Sequence, residues 1–458
     1  MAKGRGLCGG TMAAIVIVVI AATALPAGRA EAQVTAQTLI GKAVSDDSHN
    51  QEVTGAINRF RDRDIDGCRA ILERVRSNDP RLPPAGVMMA MLWLSVNQLG
   101  PARAEFEDCV VKHANDPEAY LMMGDLAFQD RRVTDADLLF KEATRLTAAY
   151  TENPKRKRDF EIRCSAGSAA VAEARKQWEL AQKHLQAWIE FDPANASARQ
   201  RMGIVLFQLG KPTEAVELFR TAKKLDPKAV QPELAMARLY DDARKRDNAK
   251  QLIEVAVKAA PGDPSVLLAA AQWYLGQNDL SRARALADDA LRIDAKSLEG
   301  QIVRGAIARV ARDYATARRF FEAAHALSPG NFPASNSLAL VLIEGDDRAS
   351  RQRALELSEA NAAMHRENSP QQVNALTTQA WVYYKLGRRE DARRILAQVT
   401  ENNALTTDGA YYVAKLLSDR GEKDRARQIL EEVLAKEPMF ATRPDAVDLL
   451  AKLRNGGG

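Results

Sequence analysis

Small and large apolar residues recur along this chain with a period of 34 residues, and each period divides into two helix-length segments. Proline or alanine closes most periods, at positions 34 residues apart within each of two runs: Pro193, Pro227, Pro261, Ala295 and Pro329, and then Ala404 and Pro438. Twelve residues before each of these positions stands an alanine: Ala181, Ala215, Ala249, Ala283, Ala317, Ala392 and Ala426. This pattern predicts repeated pairs of helices, each ending before a helix-stopping residue.

Two further positions complete the pattern. Four residues after the alanine the side chain is usually large: Leu185, Phe219, Ile253, Phe321, Leu396 and Leu430. Twelve residues before the alanine, on the preceding helix, it is Gly or Ala: Gly203, Ala237, Ala271, Gly305, Ala380 and Ala414. Small residues let two helix backbones approach closely, and the large residue one turn later fills the remaining space.

This combination resembles the tetratricopeptide repeat (TPR) family over most of the chain. The best copy spans residues 201–227 and reads RMGIVLFQLGKPTEAVELFRTAKKLDP. We therefore expect an all-α, right-handed α-solenoid of about eleven TPR helix pairs. N-terminal repeats are expected over residues 56–147, a basic connection over 148–158 and the main array over 159–438. Residues 439–458 are expected to form a capping helix and a flexible tail.

The N-terminus has the pattern of a targeting segment. Lys3 and Arg5 precede an uncharged, mostly apolar run, and Ala30-Glu31-Ala32 follows it. This order is typical of a signal peptide over residues 1–32, followed by a linker over 33–55. It favours export to the periplasm or cell envelope of a bacterium. The alternative is an inner-membrane anchor formed by residues 11–27, so the chain would be held in a membrane only through an uncleaved N-terminus.

Composition narrows the remaining classes. The 458 residues include 65 basic and 60 acidic side chains, a net charge of +5 that gives no reason to expect a nucleic-acid ligand. Removal of the signal would leave Cys68, Cys109 and Cys164, an odd number without a CxxC pair. A disulfide framework is not indicated, and Cys68 and Cys109 fall where small buried helix residues are expected.

No motif for catalysis or for a cofactor is present. The five histidines lie far apart, and we find no HExxH, GxSxG, Walker A or glycine-rich dinucleotide turn. Once the repeats are assigned, only residues 33–55 remain, which is too short for a catalytic domain. We expect no enzyme activity, no catalytic residue, no metal site and no cofactor.

The family resemblance implies a binding surface, because the first helix of each TPR pair lines an inner groove. The residues predicted to contact a protein partner are Gln200, Phe207, Arg238, Asp241, Arg309, Trp381, Tyr384, Tyr411 and Lys415. Trp381, Tyr384 and Tyr411 are the most suggestive of these, since aromatic residues dominate binding energies at interfaces. The alternative for such residues is packing between helices.

The sharpest charge feature is a basic run of four residues, Lys155, Arg156, Lys157 and Arg158. It is a candidate contact for anionic lipid headgroups or an anionic glycan. The alternative is a solvated loop that leads into a helix.

These features favour a non-enzymatic protein–protein interaction scaffold that holds a peptide or partner helix in its groove. A narrower alternative comes from residues 337–364 and 377–396, which resemble exported TPR proteins of exopolysaccharide secretion. In that case the ligand would be the secretion complex or a glycan.

Overall fold

The structure is a computed structural model that describes residues 35–40, 47–365, 369–400, 405–436 and 439–455. The predicted signal peptide, residues 1–32, lies outside these ranges, as do Ala404 and Pro438. The described residues form 24 α-helices and no β-strand. They fall into an N-terminal unit, residues 1–249, and a C-terminal unit, residues 250–458.

In the N-terminal unit, α1 precedes five helix pairs and the single helix α12, and α13 spans the boundary. The bounds are α1 Ala36–Ile40, α2 Asp47–Arg61, α3 Ile65–Asn78, α4 Ala85–Ser95, α5 Leu99–Lys112, α6 Glu118–Gln129, α7 Val133–Ala149, α8 Pro154–Ala174, α9 Trp178–Phe191, α10 Ala196–Gln208, α11 Pro212–Leu225, α12 Pro232–Asp242 and α13 Arg246–Ala259.

The C-terminal unit contains five further pairs and a last single helix. The bounds are α14 Pro264–Gly276, α15 Leu280–Ile293, α16 Leu298–Val310, α17 Tyr314–Leu327, α18 Phe332–Leu342, α19 Arg348–Met364, α20 Pro370–Lys385, α21 Arg389–Thr400, α22 Thr407–Asp419, α23 Lys423–Lys436 and α24 Arg443–Asn455. Helix α24 packs on α22 and α23, where a capping helix is required. The predictions of about eleven helix pairs, α2 to α23, and of a C-terminal cap are therefore confirmed.

The repeated apolar positions meet inside each pair. A Cβ atom added at Gly203 would lie 2.9 Å from the ring of Phe219, and one at Gly305 would lie 2.8 Å from the ring of Phe321. The glycine on the first helix therefore makes room for phenylalanine on the second. The repeated alanines of the second helices are fully buried: Ala136, Ala181, Ala215, Ala283, Ala317, Ala392 and Ala426.

The turn between the two helices has the same backbone conformation in ten of the eleven pairs, and the pair α18–α19 is the exception. Ten turn residues have a φ angle of 56° to 86°: Arg63, Asn97, Arg131, Lys176, Gly210, Arg244, Asn278, Arg312, Gly387 and Gly421. At Gly210, its own N–H donates to the Phe207 carbonyl (3.0 Å) and the Lys211 N–H donates to the Leu206 carbonyl (2.9 Å). These two bonds form a Schellman motif, which satisfies the last carbonyls of the first helix.

The structure differs from the predicted boundaries in two places. The predicted linker 33–55 contains α1 and the beginning of α2, because Leu39, Ile40 and Val53 have an apolar core to enter. The predicted basic connection 148–158 is mostly helical, since α7 runs to Ala149 and α8 begins at Pro154. Asn153 caps α8 by accepting from the N–H groups of Lys155 and Arg156, which makes the basic run the first turn of a helix.

Candidate functional site

Four aromatic side chains of the C-terminal unit form one aromatic cluster, made of Trp381 and Tyr384 on α20 and Tyr411 and Tyr412 on α22. The Trp381 ring stacks between Tyr412 (centroids 4.3 Å apart, 14° between planes) and Tyr384 (5.2 Å, 23°). Tyr411 lies 5.8 Å from Trp381 at a tilted angle. Only 6% of Trp381 and 9% of Tyr411 is exposed, so these two rings belong to the core. This is the alternative that the sequence left open for them, packing between helices, and their contact with a partner stays a prediction.

Polar groups at the edge of the aromatic cluster are paired with one another. Glu344 accepts from the Trp381 indole N–H (3.4 Å) and from Lys385 Nζ (3.0 Å). Asp419 accepts from the Tyr384 hydroxyl and from Lys415 Nζ, the latter at 2.6 Å. Burial and the Asp419 carboxylate raise the pKa of Tyr384, so the phenol keeps its proton and donates it. Tyr384 and Lys415 are half-buried, and their polar atoms already have partners.

Arg309 joins two first helices that are far apart in the sequence. Its Nη2 on α16 donates to Asp408 Oδ2 (2.8 Å) and to the Tyr412 hydroxyl (3.2 Å) on α22. Asp408 Oδ1 also accepts from the N–H (2.9 Å) and hydroxyl (2.8 Å) of Thr442, just before α24. Burial acts to lower the pKa of Arg309, but Asp408 outweighs it and the pKa lies above its usual value. Arg309 is therefore a tie within the unit, with its charge neutralised.

A more open surface lies in the N-terminal unit, on the first helices α10 and α12. Phe207 and Tyr240 meet edge to face there (4.9 Å, 89°), and both rings are half-buried. Gln200 and Asp241 are also half-buried, and Arg238 is exposed. We call these five residues the α10/α12 face. Four of these residues were predicted from the sequence. The fifth, Tyr240, was not, because it stands one position before the repeat equivalent of Phe207.

The basic run divides into one buried residue and three peripheral ones. Arg156 is 4% exposed and donates to Asp116 (3.1 Å), Glu118 (2.6 Å), the Tyr150 hydroxyl (2.8 Å) and the Leu82 carbonyl (3.1 Å). Burial alone would lower its pKa, but the two carboxylates outweigh burial and the pKa is raised. In this structure Arg156 is thus buried and paired with carboxylates of the chain itself, and its role as an anion contact stays a prediction.

The other three members of the run lie nearer to solvent. Lys155 and Arg158 are exposed, and Lys157 is half-buried. Lys157 Nζ donates to the Ala148 carbonyl at 3.2 Å, and the Arg158 guanidinium lies 5.1 Å from the centre of the Phe191 ring. Both cations therefore contact neighbouring helices as well as solvent.

The described residues offer neither a metal site nor a membrane span. In the described ranges, no three His, Cys, Asp or Glu side chains are grouped closely enough to hold a metal ion. None of the helices in the same ranges combines the length and the apolar character that crossing a bilayer requires.

Comparison with known proteins finds a family model that matches three segments of the chain. The family model described as "Tetratricopeptide repeat" matches residues 167–230, 234–297 and 377–442. A curated relative, "Interferon-induced protein with tetratricopeptide repeats 2" of Cricetulus griseus, is 24% identical over 201 residues. That alignment covers 43% of this chain and 41% of the relative, so the chain spans less than half the length of that protein.

Two solved structures that match this chain have lower sequence identity to it than the curated relative has. Yeast Tom70 is 13% identical, with 89% of this chain and 95% of that chain covered and a TM-score of 0.39. A tetratricopeptide repeat protein from Parabacteroides merdae ATCC 43184 is 15% identical, with coverages of 64% and 99% and a TM-score of 0.34. The three matches to the family model coincide with helix pairs of the observed 34-residue period, so these three segments are similar to tetratricopeptide repeats.

Proposed function

We propose that this chain is a non-enzymatic protein–protein interaction scaffold of the bacterial cell envelope, which binds a peptide or partner helix on its first helices. The observation that carries the proposal is the α10/α12 face, where the half-exposed rings of Phe207 and Tyr240 meet and α12 also carries the exposed Arg238. Aromatic residues and arginine are the residue types that contribute most to binding at protein interfaces. An amphipathic helix or an extended peptide supplies the complementary apolar and acidic side chains.

The mechanism needs little movement of the scaffold. Hydrogen-bonded turns and buried small–large pairs hold the first helices in position before any partner arrives. Because the surface is preformed, binding orders few side chains and loses little conformational entropy. The aromatic cluster of the C-terminal unit has a different role, as the packed core of the last repeats.

Site-specific photocrosslinking tests the face. A photoreactive amino acid at Arg238 should capture a partner peptide or protein in cells, whereas the same group at Lys224, exposed on the second helix α11, should not. Phe207→Ala/Tyr240→Ala should abolish the Arg238 crosslink and keep the helical circular dichroism signal. Equal crosslinking from both positions, or a crosslink that survives the double substitution, would refute the assignment of the face.

Location is tested separately. Cleavage after Ala32 and export to the periplasm predict a mature protein that begins at Gln33, which N-terminal sequencing of the protein from fractionated cells would show. Recovery of an intact N-terminus in the membrane fraction would support the anchored alternative.

The exopolysaccharide alternative now depends on Lys155, Lys157 and Arg158, because Arg156 is buried. Retention of the protein on an anionic polysaccharide, lost in Lys155→Glu/Arg158→Glu, would favour that alternative over a peptide ligand.

A further inference from the structure

Helix α1 lies on the first helices at the beginning of the array. The surface of α2 and α4 that it contacts is called the seat below. Helix α1 packs against α2 and α4, the first helices of the first two pairs, and not as an extension of either. A cap placed on the end of the array would contact α2 and its partner α3. Because its main helix contacts are with α2 and α4, α1 lies on the first-helix face, the same kind of surface on which we propose that partners bind.

The contacts of α1 are those of a short amphipathic helix. Ala36, Leu39 and Ile40 are buried, at positions i, i+3 and i+4, while Gln37 and Thr38 are exposed. The three apolar side chains join a core cluster to which α2 contributes Val53, Ala56 and Ile57, and α4 contributes Met88, Met89 and Leu92. Helix α3 contributes Cys68, Leu72 and Val75 to the same cluster. Methionine side chains adapt their shape to different apolar partners, which suits a seat that accepts more than one segment.

The hydrogen bonds of the side chains in this segment are internal. The Thr35 N–H donates to Thr38 Oγ1 at 2.9 Å, and Thr38 Oγ1 donates to the Thr35 carbonyl at 2.7 Å. The described contacts with the seat are thus apolar, made by three side chains of a five-residue helix. A helix of this length is not stable alone, so its order depends on the seat.

We propose that the α2/α4 surface is a binding site for a short amphipathic helix with the pattern small-x-x-Leu-Ile, and that α1 occupies it in cis until a partner helix displaces it. This inference builds on the proposed function, because it assumes that first helices accept helical ligands. It adds a second site, the ligand pattern, and competition by the chain itself. The seat can accept a partner only in molecules from which α1 has detached. The apparent affinity for a partner is therefore the intrinsic affinity multiplied by the fraction of molecules with a detached α1.

The test uses the full chain and a labelled peptide with the sequence of residues 33–44, QVTAQTLIGKAV. The variant Leu39→Asp/Ile40→Asp disables the internal helix, and Gln37→Asp/Thr38→Asp adds the same charge on its exposed side. By fluorescence anisotropy, the peptide should bind the first variant at least tenfold more tightly than it binds the wild type or the control. A peptide that carries the same two aspartates should not bind. Equal affinity for all three proteins, or binding to none, would overturn the proposal.

Amide hydrogen exchange of the wild-type chain tests the same proposal without any substitution, so it applies even if the first variant unfolds. Within α1, the Leu39 N–H donates to the Thr35 carbonyl at 3.2 Å, so its exchange reports on whether the segment stays folded. This amide should exchange at least tenfold faster than the amides of residues 53–60 in α2, because α1 detaches while the seat stays folded. Equal protection of both segments would show that α1 is a fixed part of the core and would overturn the proposal. Neither result changes the crosslinking expected at Arg238, so the two proposals can fail separately.

Discussion

Replacing Arg156 with methionine should destabilise the N-terminal unit far more than any other change in the basic run. The guanidinium lies between the carboxylates of Asp116 and Glu118, with 5% of its side chain exposed. It also lies 5.0 Å from the centre of the Phe160 ring, a cation–π contact. Methionine preserves most of the apolar stem but removes the charge and every hydrogen bond, and it leaves two carboxylates without their cation.

Removing one partner of a buried ion pair costs about 3–5 kcal/mol, because the remaining charge stays desolvated. The exposed fractions of the Asp116 and Glu118 side chains, 6% and 14%, place this site in that regime. For a unit of this size, about 2–4 °C of melting temperature corresponds to 1 kcal/mol. We therefore expect the melting temperature to fall by roughly 6–20 °C at pH 7.

The loss should depend on pH in a defined direction. Burial and the neighbouring Glu118 raise the pKa of Asp116, while Arg156 acts to lower it. Without Arg156 the folded-state pKa rises further, so the folded variant binds protons more readily than its unfolded chain does. A carboxyl with a raised pKa favours folding at low pH and loses that contribution as the pH rises. The difference between wild type and Arg156→Met should therefore be largest at neutral pH and smaller near pH 4.

Thermal and urea unfolding, followed by circular dichroism at pH 7 and pH 4, measures both effects. Lys155→Met is the matched control, because it removes the same charge from an exposed neighbour and should change stability by less than about 0.5 kcal/mol. The reasoning would be refuted if Arg156→Met melted within 1–2 °C of the control, or if its deficit grew as the pH fell.

Three further predictions follow from packing, turns and thiols. Gly305→Ala should lower the free energy of unfolding by about 1–3 kcal/mol, because the added methyl group meets the Phe321 ring. Adding Phe321→Leu should restore part of this stability in urea unfolding, and a double variant no more stable than Gly305→Ala would contradict the contact. Arg131→Gly, at a φ angle of 61°, should raise the free energy of unfolding by about 0.5–1 kcal/mol, and a loss of stability by the same assay would show that the arginine contributes more than its strain costs. Burial raises the pKa of Cys68 to about 11 and of Cys109 to about 12, so neither thiol should react with iodoacetamide at pH 8 until urea is added; alkylation of the folded protein, seen by mass spectrometry, would contradict this.

Much of the fold could be predicted from the sequence, because the repeated positions report on contacts within a helix pair. Gly203 and Phe219 stand 16 residues apart and touch across one turn, so a local pattern identifies them. The backbone conformation of the turns was harder to predict from the sequence. Glycine at Gly210 is an expected left-handed residue, but Arg63 and Lys176 adopt the same conformation, and nothing in their residue type indicates it.

The candidate site was harder to predict, because exposure depends on contacts between repeats. Trp381 and Phe207 both occupy first helices, and the sequence assigns them to the same kind of face. Trp381 is covered by Tyr412 of the next pair, whereas Phe207 keeps part of its ring exposed beside Tyr240. The burial of Arg156 likewise depends on Asp116, 40 residues away, and no periodic signal links the two.

The tie between Arg309 and Asp408 gives the last repeats a different unfolding behaviour from an ordinary repeat array. In a linear array each repeat contacts only its neighbours, so terminal repeats fray one at a time. Here a contact spanning 99 residues links α16 directly to α22 and, through Thr442, to the segment before α24. The intervening pairs α18–α19 and α20–α21 therefore have no free end from which to fray. We therefore expect the helices from α16 to α24 to unfold together as one cooperative unit.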